Sequence, residues 1–330
     1  MTAGEGSSGS ARSGDGLRRF VALVGPFLAL FLVVLVFTAL APDRFLTAYN
    51  LKTVATQTVL VGLGAIGATF VIVSGGVDLS VGSVIALSSV VTALLLREGH
   101  GPVVAVLAGI ATGAASGAVN GLVVTRFRIV PFIVTLGTMG VARGLAKHLS
   151  GEQKVDAPAG GLSFWMEKTP DPAFLLVAPG VWLLFGFALV MGFVLRRTVF
   201  GLHAFAIGSN EATARLSGIR VERTKVLIYV LGGAFAGLAG VLQFSRLTIG
   251  DPTTALGKEL DVIAAVVIGG GSLSGGSGGI TGSLIGAFLM SFLANGCTLT
   301  GLPNYVQEIL VGLIIVAAVG IDEWRKRRAT

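Results

Sequence analysis

The sequence predicts an all-α polytopic integral membrane protein of about ten transmembrane helices, and three observations carry that prediction. Of 330 residues, 53% are apolar and only 12% charged, with a mean hydropathy of +0.86, outside the range of soluble domains. The apolar residues fall into runs close to the roughly 20 residues that a helix needs to cross a bilayer. The basic residues stand at the ends of those runs instead of clustering with aromatics on a polar surface, so the net charge of +7 is a topology signal and excludes a nucleic-acid partner.

In chain order, residues 1–17 are rich in Gly and Ser with almost nothing apolar, and read as a disordered cytoplasmic tail. Arg18 and Arg19 precede the first apolar run, Phe20 to Ala41, and the helix is predicted over 18–41. That run is about twice the length of a signal-peptide core and has no small-residue cleavage pattern before Pro42, so it reads as a retained anchor helix. Further helices are predicted over 54–74, 80–96, 102–124, 130–149, 174–195, 225–245, 260–271, 279–297 and 305–321. The runs 80–96 and 260–271 are short enough to be broken or re-entrant. The transmembrane domain is thus 18–321, followed by a basic cytoplasmic tail at 322–330.

Ten crossings put both termini on one side. With that side cytoplasmic, fifteen of the 24 basic residues lie inside, among them Arg126, Arg128, Arg196, Arg197, Arg215, Arg220 and Arg223. The outer loop 150–173 is balanced, with Glu152, Asp156, Glu167 and Asp171 against Lys154 and Lys168. Every inner loop longer than a turn is basic except the one around Asp78.

Glycine shapes the helix faces. Gly109, Gly113, Gly117 and Gly121 recur every fourth residue and line up as a groove for close helix packing; Gly233 with Gly237, and Gly278, Gly282 and Gly286, repeat the device. Two segments resemble each other, GGVDLSVGS at Gly75 to Ser83 and GGGSLSGGS at Gly269 to Ser277, which hints at an internal duplication. Glycine-rich interruptions at corresponding places in two halves point to a transport path. On this span count both face inward, whereas an inverted repeat needs opposite faces, so either the repeat is parallel or the count is off by one locally.

No enzyme site is visible. GLGAIG at Gly62 to Gly67 lies inside an apolar helix with no βαβ context, and no phosphate-binding G-x-x-x-x-G-K-[ST] loop occurs. His100, His148 and His203 have no spacing partners, and Cys297, the single cysteine, reads as a small buried residue. The informative polar groups are intramembrane. Asp78 is the only acid between Leu51 and Arg97; it either lines or gates a path or caps the helix that starts near Ser80. Asn120 and Asn295 either bond across helices or touch a passing polyol. Asp78, Ser80, Asn120, Phe132, Gly270 and Asn295 are the candidate path residues.

The loop 196–225 differs in kind, with six basic and two acidic residues in thirty. Ala212, Leu216 and Ile219 recur at helical spacing, with Glu211 and Arg215 on a more polar side, as in a short amphipathic helix lying on the membrane or docking a soluble partner. Its mixed charge favours docking.

Here the motifs become familiar. SGGVDLSVGSVIALSS, VPFIVTLGTMGVARGLA, AIGSNEATARLSGIRVERTKVLIYVLGGAFAGLAGVL and ELDVIAAVVIGGGSLSGGSGGITGSLIGAFL, in that order, resemble the permeases of bacterial ribose- and xylose-type ABC importers from about Leu51 to Asp322. The resemblance implies a permease that passes a monosaccharide in a bacterial inner membrane, acting as a second-copy dimer with an ABC ATP-binding subunit and an extracytoplasmic sugar-binding protein. It implies no cofactor in this chain, with ATP and Mg on the ATPase. It also makes the segment from Asn210 to Gly218 the coupling helix, with Gly208, Asn210, Glu211, Ala212, Arg215, Leu216, Ser217 and Gly218 as its contact residues. Related permeases carry nucleosides or branched-chain amino acids, and an ion-driven secondary transporter remains the rival from another class.

Overall fold

The computed structural model describes residues 9–327. Its helices are α1 (Gly9–Leu40), α2 (Ala48–Val73), α3 (Val81–Arg97), α4 (Pro102–Phe127), α5 (Pro131–Ser150), α6 (Pro179–Arg197), α7 (Val199–Ser209), α8 (Glu211–Leu216), α9 (Val221–Leu247), α10 (Lys258–Ile268), α11 (Ile280–Leu299) and α12 (Asn304–Arg327). All ten predicted helices are present. Of the expected tail 1–17, residues 1–8 lie outside the described residues and Gly9 to Leu17 belong to α1; of 322–330, Asp322 to Arg327 continue α12 and 328–330 lie outside.

Five helices, α2, α4, α6, α9 and α11, are long and apolar enough to cross a membrane by themselves. Burial sorts them. In α2, apolar on every side, 94% of the apolar window is buried, against 22% in α4 and 28% in α6, so α2 is the central post and the other two face outward. Its residues Gly62 to Gly67 are buried helix, as expected of a segment inside an apolar run; a Cβ at Gly67 would meet the Gly232 backbone 2.9 Å away. Cys297 is buried in the same core.

The α4 glycine stripe is a packing surface. All four glycines are buried against α9, and a Cβ at Gly113 would stand 2.6 Å from the Gly237 backbone. Because lipid offers no hydrophobic drive between helices, such backbone approach is what makes the α4–α9 contact the most extensive in the fold.

At one end of the molecule the strands β1 (Val155–Asp156) and β2 (Ile249–Gly250) pair antiparallel, Val155 opposite Gly250, and tie the 151–178 loop to the end of α9. Two short 3-10 turns, Leu162–Met166 and Ala173–Leu175, lie in that loop; the second occupies the start of the predicted 174–195 helix, which begins instead at Pro179. At the opposite end, about 40 Å away along the 27 residues of α9, lie α7 and α8.

The loop 196–225 departs from the expected single amphipathic helix. It folds as two helices broken at Asn210, and the buried apolar contact is Ala214 with Ile207 and Val221, not Ala212 and Leu216. Ala212 is exposed and Leu216 is 90% exposed. The spacing was real, but a six-residue helix buries only the side that meets its neighbours.

Candidate functional site

At the α8 end, each feature of the site has a local cause. Asn210 is in extended conformation and its Oδ1 accepts the Thr213 N–H at 2.9 Å, which starts α8. Gly218, with φ +82°, ends the segment after Ser217. Glu211 is held by the Lys225 ammonium at 2.6 Å and by Arg215 at 3.3 Å, and Arg215 also reaches Glu222, so α8 is clamped to the first turns of α9. The Lys225 hydrogen bond holds the Glu211 carboxyl below its usual range, while the Glu222 hydrogen bond pushes the Arg215 guanidinium up.

Just before this clamp, Gly208 of α7 sits between the two glycine-rich segments. Its missing side chain leaves room for the Val73 carbonyl and for the Gly276 backbone, whose N–H donates to Val73 at 2.9 Å. A Cβ at Gly275 would lie 2.6 Å from the Gly208 carbonyl and 2.9 Å from the Gly75 Cα. The two similar segments therefore meet on one side of the fold, and the element carrying α8 is wedged against both.

The six candidate path residues do not converge. Asp78, Ser80 and Asn120 do: Asp78 Oδ1 accepts from the Ser80 N–H at 2.8 Å and hydroxyl at 2.6 Å, the Asn120 amide donates to the Ser80 hydroxyl at 3.0 Å, and Thr138 donates to Asn120 at 2.6 Å. Every donor in this chain points toward the carboxylate, which polarises the series and offsets the cost of a buried acid. The bonds to Ser80 are those of a helix start, and they join the α2–α3 link to α4 and α5. Asn295 lies elsewhere, in a reciprocal amide pair with Asn50 at 2.9 and 3.0 Å. Phe132 is half exposed on the first turn of α5, and Gly270 (φ +91°) shapes the turn after α10 with open space around it.

Sequence reasoning passed over Arg143 near the middle of α5. Its Nη1 donates to the carbonyls of Pro252 at 2.7 Å and Thr254 at 2.8 Å, pinning the turn between β2 and α10. A lone arginine inside an apolar run was the signal available.

The chain matches the family described as "Branched-chain amino acid transport system / permease component" over residues 50–319. It is 41% identical to the ribose import permease of Bacillus subtilis over 93% of this chain and 94% of that one. It is 36% identical to the L-arabinose ABC transporter permease of Azospirillum brasilense, over 96% and 92%, and 35% identical to the D-allose transport system permease of Escherichia coli, over 90% of each. No solved structure matches. A bundle of apolar helices around a buried central post, with a charged clamp at one end and two glycine-rich breaks, is thus the form taken here by that membrane permease family, to which this chain belongs.

Proposed function

We propose that this chain forms the path by which a monosaccharide enters a bacterial cell, in an importer whose ATP is hydrolysed, with Mg, on a separate ABC ATP-binding subunit. The ribose, L-arabinose and D-allose named for its relatives are small neutral polyols, which supports a solute of that class. In this reading α7 and α8 face the cytoplasm with both termini, the basic loops being retained there. The β1–β2 end meets an extracytoplasmic sugar-binding protein, and a second copy of the chain completes the path.

The observation that carries the coupling assignment is the construction of α8. Leu216 is 90% exposed on a helix that is otherwise fastened to α9 by ion pairs and, through Gly208, to the end of α2 and the α10–α11 turn. A partner that grips Leu216 and moves α8 therefore moves several membrane elements as one body, which is the rigid-body switch an importer needs.

The test is ATP-dependent uptake of D-ribose, L-arabinose, D-allose and L-leucine into vesicles holding the complete complex. One sugar is taken up, and Leu216→Asp lowers its uptake at least about tenfold while thermal melting is unchanged. Uptake of leucine alone, or sugar uptake that needs no ATPase and follows an ion gradient, overturns the proposal.

A further inference from the structure

We infer that a polar cavity in the half of the fold away from α8 is where the transported polyol rests inside the permease, held by Gln243 and Ser291. The inference rests on the permease reading above and names the side chains that meet its solute.

The cavity, about 220 Å³, lies between α2, α9, α10, α11 and α12, far above the ~15 Å³ that a single water occupies. Gln243 and Ser291 wall it and are 7% and 4% exposed. The Gln243 amide nitrogen is taken by the Thr254 hydroxyl at 2.6 Å, and its Oε1 has no partner. The Ser291 hydroxyl has none either, although Ser245 on α9 and Thr298 on α11 each donate to the carbonyl four residues back at 2.9 Å. Buried polar atoms are almost always paired. Gln243 Oε1 and Ser291 Oγ lie just beneath the cavity surface, within a small side-chain rotation of a hydrogen-bonding guest; Ser88, Ser89, Tyr229 and Glu259 also carry an unpaired buried atom, but none of those residues lines this cavity.

The backbone supports this placement. α10 has 11 residues and rises about 16 Å, roughly half of a ~30 Å hydrocarbon core. The chain reaches its start through the irregular turn pinned by Arg143, which lies seven residues before the end of α5, and that turn contributes Ala255 to the cavity wall. Such backbone is tolerated where it lines protein or a cavity, and interrupted helices are where transporters hold their solutes. The first turn of α10 places the Lys258–Asp261 ion pair in the cavity wall.

The chemistry fits hydroxyls. Gln243 Oε1 only accepts, Ser291 donates and accepts, the Gln57 amide does both, and Lys258 is already neutralised by Asp261. Each hydroxyl of a sugar can donate one bond and accept two, matching this mixed lining. Leu60, Val61 and Met290 supply apolar wall for the C–H face, and Arg246 stands exposed at the rim. The lining has no aromatic ring among the described residues, so the hold is weak, as a transit site requires.

The test uses the complete complex. Gln243→Leu and Ser291→Leu lower sugar uptake about tenfold or more while ATP hydrolysis stimulated by the loaded binding protein persists, and Ser291→Ala raises KM severalfold with little change in maximal rate. In a Cys297→Ala background, Ser291→Cys reacts with a small methanethiosulfonate reagent, and the sugar that the wild type imports slows that reaction whereas L-leucine does not. The inference is overturned if the wild type imports a sugar but the Leu variants import it as well, or if the thiol at 291 is unreactive or unprotected. Should Ser291→Leu fail to fold, Ser291→Ala and the labelling decide. A wild type that imports none of the sugars sinks the permease reading itself, a distinct result.

Discussion

The Asp78 cluster and the Gln243 cavity are both polar regions buried in an apolar bundle, yet their hydrogen bonds close differently. In the first, Thr138, Asn120 and Ser80 hand donors in sequence to one carboxylate. In the second, Gln243 and Ser291 wall a cavity, and their Oε1 and Oγ are buried without partners. The first arrangement fastens the α2–α3 link to α4 and α5, because every member loses a partner if the helices separate. The second leaves interaction free for something that comes and goes. Polar residues in a membrane protein therefore divide by whether the fold already satisfies them, and only the unsatisfied ones are available to a solute.

Substitutions should separate the two regions in stability. Asn120→Leu leaves Ser80 and Thr138 without a shared partner and is expected to cost about 2–4 kcal/mol, read as a lower melting temperature in detergent or lipid. Asn295→Leu removes one half of the reciprocal pair with Asn50, which keeps its bond to the Phe45 carbonyl at 2.7 Å, so about 1–2 kcal/mol is expected in the same melt. If either change is neutral, the satisfied clusters are not fasteners and the contrast fails.

The α8 clamp should come next. Glu211 is nearly half exposed, so Glu211→Gln costs under about 1 kcal/mol, although under the proposed coupling role it should reduce uptake more than stability. Its carboxyl is held below the ordinary value of 4.5, so the stabilisation is complete above that pH and is lost as pH falls through the lower folded value. Melting of wild type and Glu211→Gln across pH 4–7 should therefore show a constant gap that closes only at the acid end. The smallest effect belongs to the cavity: Ser291→Ala removes a hydroxyl with no partner and should shift stability by no more than about 0.5 kcal/mol, in contrast to its effect on sugar uptake. A large loss there would mean that Ser291 is structural after all.

Much of this was legible in the residues. The ten helices follow from runs of apolar residues, and the α4 groove from a four-residue glycine period, because both are local patterns in one element. The position of α8 was legible from Asn210 and the charges around it; which of its faces is buried was not, since Ala214 is covered only because Ile207 and Val221 come round to meet it. Asn120 and Asn295 stood out as polar groups in apolar helices, but identical side chains leave open whether a neighbour or a solute takes the amide. Gln243 and Ser291 gave no joint signal at all, lying on different helices with α10 and two irregular stretches of chain between them.

The sequence alone determined that this chain lives in a bilayer, where its helices run, and that it carries a charged segment suited to a soluble partner. These are consequences of composition and short-range periodicity, which the solvent reads residue by residue. The tertiary structure decided which polar groups are spent and which are free. Partners such as Ser80 and Asn120, 40 residues apart, or Asn50 and Asn295, 245 apart, meet only once glycine faces have set how closely the helices approach. A hydrogen bond is lost over a displacement of about 1 Å, so its presence is a property of packing and not of spacing along the chain.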